Sequence, residues 1–237
     1  MDPENQRIEE DLRGLLQGEV RCDDLFTQLY STDASVYELR PLGVVRPRSL
    51  KDVVATVQYA AENKIPIFPR GAGTGLAGES LGRGIVIDFS RYFRRVLNVD
   101  DGQVRVQSGM VLATLNRFLA ERGLTFGPDP AMSHVTTIGS VVAIDAGGSH
   151  WRKYGSARRH VEALTIVLAD GEVLQVGRHP VPQLENEAGE SCPATRLEHL
   201  VQSVAALVER HAKLITDYRP KSLVNRSGYT LHDVLVN

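Results

Sequence analysis

Cysteine, tryptophan and long apolar runs are what this chain has least of. Its 237 residues hold two cysteines and one tryptophan. Cys22 and Cys192 stand far apart and in no ligand spacing, so the sequence predicts reduced thiols, with neither a disulfide framework nor a metal site. No apolar run is long enough to span a bilayer. The opening "MDPENQRIEEDLRGLL" is acidic and polar and lacks the apolar core of a signal peptide. A cytoplasmic protein is expected, the whole protein at most peripheral to the inner membrane face. An excess of charge is missing too. The formal net charge is -2, so no overall basic field favours nucleic acid. What is present is ordinary globular material, 42% hydrophobic and 24% charged, in a length that suits one or two domains.

The chain order predicts an α/β unit followed by a hairpin-rich part. Residues 5–30 read as helical, with Ile8, Leu12, Leu15 and Leu16 on one face. "STDASVYELRPLGVVRP" is extended. "SLKDVVATVQYAAENK" reads as a helix capped by Ser49. A strand at Pro66 to Pro69 enters a glycine loop, and "GIVIDFS" is a second buried strand. After this, Asp101-Gly102 and Asp170-Gly171 are hairpin signals. "VLATLNRFLAERG" is a helix closed by Gly123, and "ATRLEHLVQSVAALVERHAKLI" a long amphipathic one. "GRHPVPQLENEAGESCPA" has little means of burying itself and reads as flexible.

The glycine loop, "PRGAGTGLAGES", carries the chemistry. Gly73, Gly75 and Gly78 match a dinucleotide fingerprint literally, but that fingerprint must open a helix. Only "ESLGRG" separates Gly78 from the next strand, which leaves no room for one. No Lys-Ser or Lys-Thr pair closes a P-loop. The physical content survives: Gly71, Gly73 and Gly75 can take positive φ cheaply, and their exposed N–H groups can form an anion-binding nest, to which Thr74 adds a hydroxyl. A glycine turn alone is more often structural than functional. A second bare stretch, "GPDPAMSHVTTIGSVVAIDAGGSHWRKYGSARRHV", with glycines at 139, 147, 148 and 155, tips the balance. Two such segments suggest one long, flat, polar ligand between them, and a dinucleotide has that shape.

Together "PRGAGTGLAGES", "FGPDPAMSHVTTIGSVVAIDAGG", "YGSARRHVEALTIVLADGEV" and "NRSGYTLHDVL" resemble the FAD-binding domain of the FAD-linked oxidase family, the PCMH or vanillyl-alcohol-oxidase type. The nearest group is the D-lactate dehydrogenases and glycolate oxidases. "YSTDASVYELRPLGVVRPRSLKDVV" resembles the branch with a C-terminal iron–sulfur region. The likeness covers residues 28–237. It implies an α+β fold: an N-terminal helical segment over 1–39, then a PCMH-type domain over 40–237. That domain divides into a small parallel α/β lobe (40–92) and a larger lobe with a mixed or antiparallel sheet (93–237).

The resemblance also implies non-covalent FAD. Covalent relatives place a histidine where this chain has Thr74. Arg70, Gly71, Ala72, Gly73, Thr74, Gly75 and Leu76 match the diphosphate loop. Pro128, Asp129, Thr137, Ile138, Gly139 and Ser140 match the segment along the ribityl chain, diphosphate and flavin, which Asp145, Gly147 and Gly148 continue. Tyr154, Gly155 and Val161 match the approach to the rest of the cofactor. Ser140 stands where the family has glycine, and Asp145 where asparagine is common. A carboxylate there is expected to point away or to pair with a base such as Arg152 or Lys153.

A 2-hydroxy acid is the implied substrate. Its carboxylate clamp and base belong, in the family, to a C-terminal substrate domain, so no catalytic residue is assigned here and this chain alone is expected to be inactive. The close at "SGYTLHDVLVN" is expected to leave the second lobe incomplete, as in a trimmed or proteolysed product. Two other classes stay open: a non-enzymatic FAD module, and a reductase of the UDP-N-acetylenolpyruvoylglucosamine type. His134, His150 and His160 read as surface or hydrogen-bonded residues before acid–base groups. Trp151 reads as packing, the arginines of "SRYFRR" as a solvated face, and Asp88 as the cap of the turn after its strand.

Overall fold

The computed structural model describes residues 2–182, 194–222 and 229–235. Cys192, most of the segment expected to be flexible and the start of "NRSGYTLHDVL" lie outside these residues.

Asp2 starts α1 (Pro3–Leu15) by accepting from Glu4 N at 2.9 Å, and the helix buries Ile8 and Leu12. The helical reading of 5–30 does not hold beyond Leu15. The chain turns at Gly18, where a Cβ would lie 2.5 Å from Arg46 O, and runs as the short strand β1 (Glu19–Arg21). Asp23 then caps a separate helix, α2 (Asp24–Leu29).

β2 (Gly43–Arg46) follows, then α3 (Leu50–Glu62), β3 (Ile67–Arg70) and β4 (Ile85–Asp88). The sheet order is β1-β2-β4-β3, with β2 and β3 parallel to β4 and β1 antiparallel to β2. All four residues of β4 are buried, as a central parallel strand requires. α3 carries the predicted Ser49 cap, and Asp52 completes a reciprocal capping box. The sheet, α1 and α3 share one apolar core around Ile8, Leu12, Val45, Val57 and Ile85. Cys22 belongs to it. A Cβ on Gly43 would lie 2.4 Å from the Cys22 Sγ, and burial, followed by the nearby Glu9 carboxylate, pushes this thiol up to about 12.

β5 (Val96–Asp100) and β6 (Gln103–Val106) form a hairpin at the predicted turn, with Asp101 and Gly102 at φ of 36° and 76°. α4 (Leu112–Ala120), α5 (Ile138–Ala143) and the short α6 (Trp151–Tyr154) come next. A second core joins Leu112, Leu115, Ile138, Val141 and Ala157. β7 (Ala163–Val167) and β8 (Val173–Gly177) make the second predicted hairpin.

The chain divides into two compact units, Met1–Val161 with Val167–Val173, and Glu162–Ile166 with Leu174–Asn237. The second unit holds α7 (Arg196–Arg210) and α8 (Ala212–Asp217), which replace the single long helix expected. The α-helix stops at His211, whose backbone (φ −107°, ψ 15°) leaves the helical region.

Candidate cofactor site

Every residue assigned to the site lies in the first unit. β3 delivers Arg70, and the chain then loops to β4 without a helix, as the short "ESLGRG" spacer requires. Gly73 takes a φ of 67°, whereas Gly71 and Gly75 do not enter the left-handed region. The nest therefore turns on one left-handed glycine in its centre, not on three. Among the described residues, none of the six N–H groups from Gly71 to Leu76 donates to a protein acceptor. Ala72 and Leu76 are exposed. Backbone donors left without protein partners in a loop nearly free of side chains suit an anion.

The second bare segment faces this loop. Ile138 N donates to Met110 O at 2.8 Å, and Gly139 N to Ser108 O at 2.7 Å, which fixes the start of α5. A Cβ on Gly139 would come within 2.9 Å of the Ser108 Cβ. A Cβ on Gly71 would lie 2.3 Å from Thr137 Oγ1 and 2.6 Å from Ser140 Oγ. Thr137 and Ser140 share a hydrogen bond of 3.0 Å, and the Thr74 and Thr136 hydroxyls are 3.4 Å apart. Ser140, the departure from the family's glycine, thus fills the space above Gly71 with a hydroxyl tied to its own helix.

Pro128 is buried and Asp129 half-buried beside it. Asp129 accepts from His150 N at 3.0 Å and meets its Nδ1 at 2.6 Å. These bonds, the backbone one first, hold the Asp129 carboxyl below its usual range. Gly148 must be glycine here: its φ is 141°, and a Cβ would meet the Asp129 backbone at 2.3 Å. Gly147 is buried.

Asp145 does not pair with Arg152 or Lys153. It accepts from Ser156 Oγ at 3.0 Å, from Arg158 N at 2.9 Å and from Arg158 Nε at 2.6 Å. Its φ of 47° is the left-handed region that asparagine and aspartate tolerate best. Arg158 thus offsets the charge that the asparagine-to-aspartate difference brings in. Tyr154 lies against Gly127, where a Cβ would meet the ring at 2.5 Å, and its carbonyl bonds His160 Nε2 at 2.8 Å. His160 also stands edge-on to Phe126, so it is a hydrogen-bonded surface residue held in place. Gly155 (φ 75°) turns the chain after Tyr154, and Val161, half-buried, ends the segment.

One contact near the loop escaped the sequence. Asp88 does cap its turn, accepting from Ser90 N at 2.8 Å. It also accepts from the Tyr30 hydroxyl at 2.5 Å and pairs with Arg46 Nε at 3.3 Å. Burial, with Asp88 next, pushes the Tyr30 phenol up to about 12. The Arg70 guanidinium reaches Tyr30 and Thr32 and also lies against the loop, where a Cβ on Gly73 would stand 2.6 Å from its Nη2. Among the described residues there is no cluster of metal-ligating side chains, and no helix is long and apolar enough to cross a membrane.

Residues 41–177 match the FAD binding domain family. The chain is 36% identical over 209 residues to the D-2-hydroxyglutarate dehydrogenase of Pantoea ananatis, covering 86% of this chain and 20% of that protein. It is 36% identical over 160 residues to the D-lactate dehydrogenase of Anaerostipes hadrus, covering 65% and 33%. The chain thus spans about a fifth to a third of the length of these relatives. Among solved structures, 6-hydroxy-D-nicotine oxidase from Arthrobacter nicotinovorans superposes with a TM-score of 0.60 at 25% identity, over 68% of this chain and 36% of that one. Alkyldihydroxyacetonephosphate synthase does so at 0.64 and 23%, over 74% and 34%, and this likeness speaks to the fold alone.

Proposed function

Because the chain belongs to the FAD binding domain family, with FAD as its cofactor, we propose that it holds FAD without a covalent bond, as the cofactor-binding part of an oxidoreductase acting on D-2-hydroxy acids. The substrate class is carried over from the D-2-hydroxyglutarate and D-lactate dehydrogenases it resembles. One observation carries the reading: the N–H row from Gly71 to Leu76 has no protein acceptor among the described residues and begins against Thr137 and Ser140, where a Cβ on Gly71 would leave no room.

The residues fit the cofactor. A diphosphate needs N–H donors without protein partners, which Gly71, Ala72, Gly73 and Thr74 offer, with the Arg70 guanidinium beside Gly73. Thr137, Ile138, Gly139 and Ser140 supply the facing wall. Asp145 pairs with the Arg158 guanidinium and Asp129 is hydrogen-bonded to His150, which turns both carboxylates to protein partners, while the Glu79 carboxylate stands beside Gly75. The chemistry supplied by the flavin, once bound, is acceptance of a hydride equivalent from the substrate carbon. The protein's share here is to bind and orient. We place the clamp for the substrate carboxylate, and any iron–sulfur region, in parts of the whole protein beyond this chain.

The test has two readings. Purified protein should titrate with FAD to one equivalent, and after acid precipitation the colour should move to the supernatant, since Thr74 offers no histidine for a covalent bond. Anaerobic mixing of the FAD-loaded chain with D-lactate, glycolate or D-2-hydroxyglutarate should bleach the flavin no faster than free FAD. Colour held on the pellet overturns the non-covalent reading, and rapid bleaching overturns the placement of the substrate site.

A further inference from the structure

Residues 30–37 are tied to the glycine loop at several independent points. Arg70 Nη1 donates to Tyr30 O at 3.3 Å and Nη2 to Thr32 O at 2.8 Å, while its Cζ stands 5.1 Å from the Tyr30 ring centroid. Ala34 N donates to Gly73 O at 3.0 Å. Ser80 Oγ donates to Asp33 Oδ2 at 3.1 Å. The Tyr37 ring stands 2.8 Å from where a Cβ on Gly78 would be. The segment is a closed loop in its own right, with Leu39 N donating to Ser31 O at 2.8 Å and a bridge between Thr32 and Glu38. Its first residue is anchored below, where the Tyr30 hydroxyl meets Asp88 at 2.5 Å and Arg46 Nη2 at 2.9 Å.

These ties solve a physical problem that the glycine loop creates. A run with glycines at 71, 73, 75 and 78 has high conformational entropy, and its free N–H groups converge only if something outside the loop holds them. The loop's own side chains are too few to do so. Residues 30–37 lie upstream of residue 41, where the family match begins.

We propose that residues 30–37 act as a strap that holds the glycine loop in its cofactor-receiving conformation, with Arg70 and Asp33 as positioning residues. Arg70 grips the carbonyls of Tyr30 and Thr32 with a guanidinium that also lies against Gly73, and so ties the strap to the middle of the loop. Asp33 secures the far side of the loop through Ser80. The strap acts on FAD affinity by keeping the competent loop populated, so it rests on the FAD-binding reading above.

FAD affinity and release, followed by flavin fluorescence, test this with Asp33→Ala, Asp33→Asn, Ser80→Ala, Arg70→Ala and the Asp33→Ala/Arg70→Ala double variant. The melting temperature of each apo protein is recorded alongside. If loss of either grip cuts the competent fraction to about a tenth, Asp33→Ala and Arg70→Ala each raise the Kd about tenfold. Because both act on one strap, the double variant should be little worse than the poorer single. Asp33→Asn keeps a hydrogen-bonding partner for Ser80 and Ser35 and should restore most of the affinity at an unchanged melting temperature. Ser80→Ala, the mildest cut, should weaken binding in the same direction, and it decides the matter if Asp33→Ala does not fold. Parent-like affinity in Asp33→Ala or, failing that variant, in Ser80→Ala overturns the strap. So do losses that multiply in the double variant, since Arg70 would then act separately on the cofactor. A parent protein that binds no FAD at all is a different result, and it removes the premise.

Discussion

Gly71 and Gly75 sit in the same loop, yet a side chain would meet different neighbours at each. At Gly71 a Cβ runs into Thr137 Oγ1 at 2.3 Å and Ser140 Oγ at 2.6 Å, short side chains held by each other. At Gly75 it meets the Glu79 carboxylate, the far end of a flexible and exposed side chain. Gly71→Ala should therefore cost about 1–3 kcal/mol of stability by overpacking and weaken FAD binding by about tenfold or more, that is, by about 1.4 kcal/mol or more. Gly75→Ala should stay near the parent in both. Equal losses from the two, measured by thermal melting and FAD titration, would remove the steric argument. Tyr30 makes a second prediction at this scale. Its phenol is pushed up to about 12 from an ordinary value of 10.0. The neutral form is the one favoured in the fold, so the stabilisation is whole below pH 10 and is lost between 10 and about 12 as the unfolded chain ionises first. The stability gap between the parent and Tyr30→Phe should shrink across that alkaline window. A gap that stays constant from pH 9 to 12 would contradict it.

The first turn of α3 is the element on which the sequence spoke most directly. Ser49 accepts from Asp52 N at 3.2 Å, but Asp52 does more, accepting from Gln17 N at 3.1 Å, from Arg48 N at 2.8 Å and from Ser49 N at 3.3 Å. Ser49→Ala should cost about 1 kcal/mol, as an ordinary cap does. Asp52→Ala removes the acceptor of half-buried bonds from two parts of the chain and should cost more, about 2 kcal/mol. Denaturant melts that reverse this order would show that the helix end is not what ties residue 17 down. Legibility follows the same line between local and distant. The Ser49 cap, the Asp101-Gly102 turn and both side-chain-poor segments were readable because each is a property of neighbouring residues. The break after α1 was not, since the apolar spacing carried on through Gly18 and a three-residue strand has almost no signature of its own. Asp145 found Arg158 rather than Arg152 or Lys153 because a 3₁₀ turn at Ala157–His160 brings it back. The meeting of Tyr30, Arg46 and Asp88 is set by sheet order, β2 beside β4, which no local pattern encodes.

At the scale of the molecule, the cofactor site and the sheet core belong to one compact unit, so holding FAD and staying folded are linked. A ligand bound only by the folded form adds about 2.7 kcal/mol at a hundredfold excess over its Kd. Cys22 turns that linkage into something that can be timed. Its thiol is fully buried under the backbone of Gly43, and as a thiol pushed up to about 12 it is a poor nucleophile until it reaches water. It is a clock built into the core, silent while the sheet is closed. Alkylation at Cys22, localised by mass spectrometry to separate it from Cys192, should advance only as fast as the unit opens, and FAD should slow it in proportion to ligand occupancy. If FAD leaves the rate untouched, Cys22 is being exposed by a local parting of α1 from the sheet, and the hands of the clock belong to that one helix.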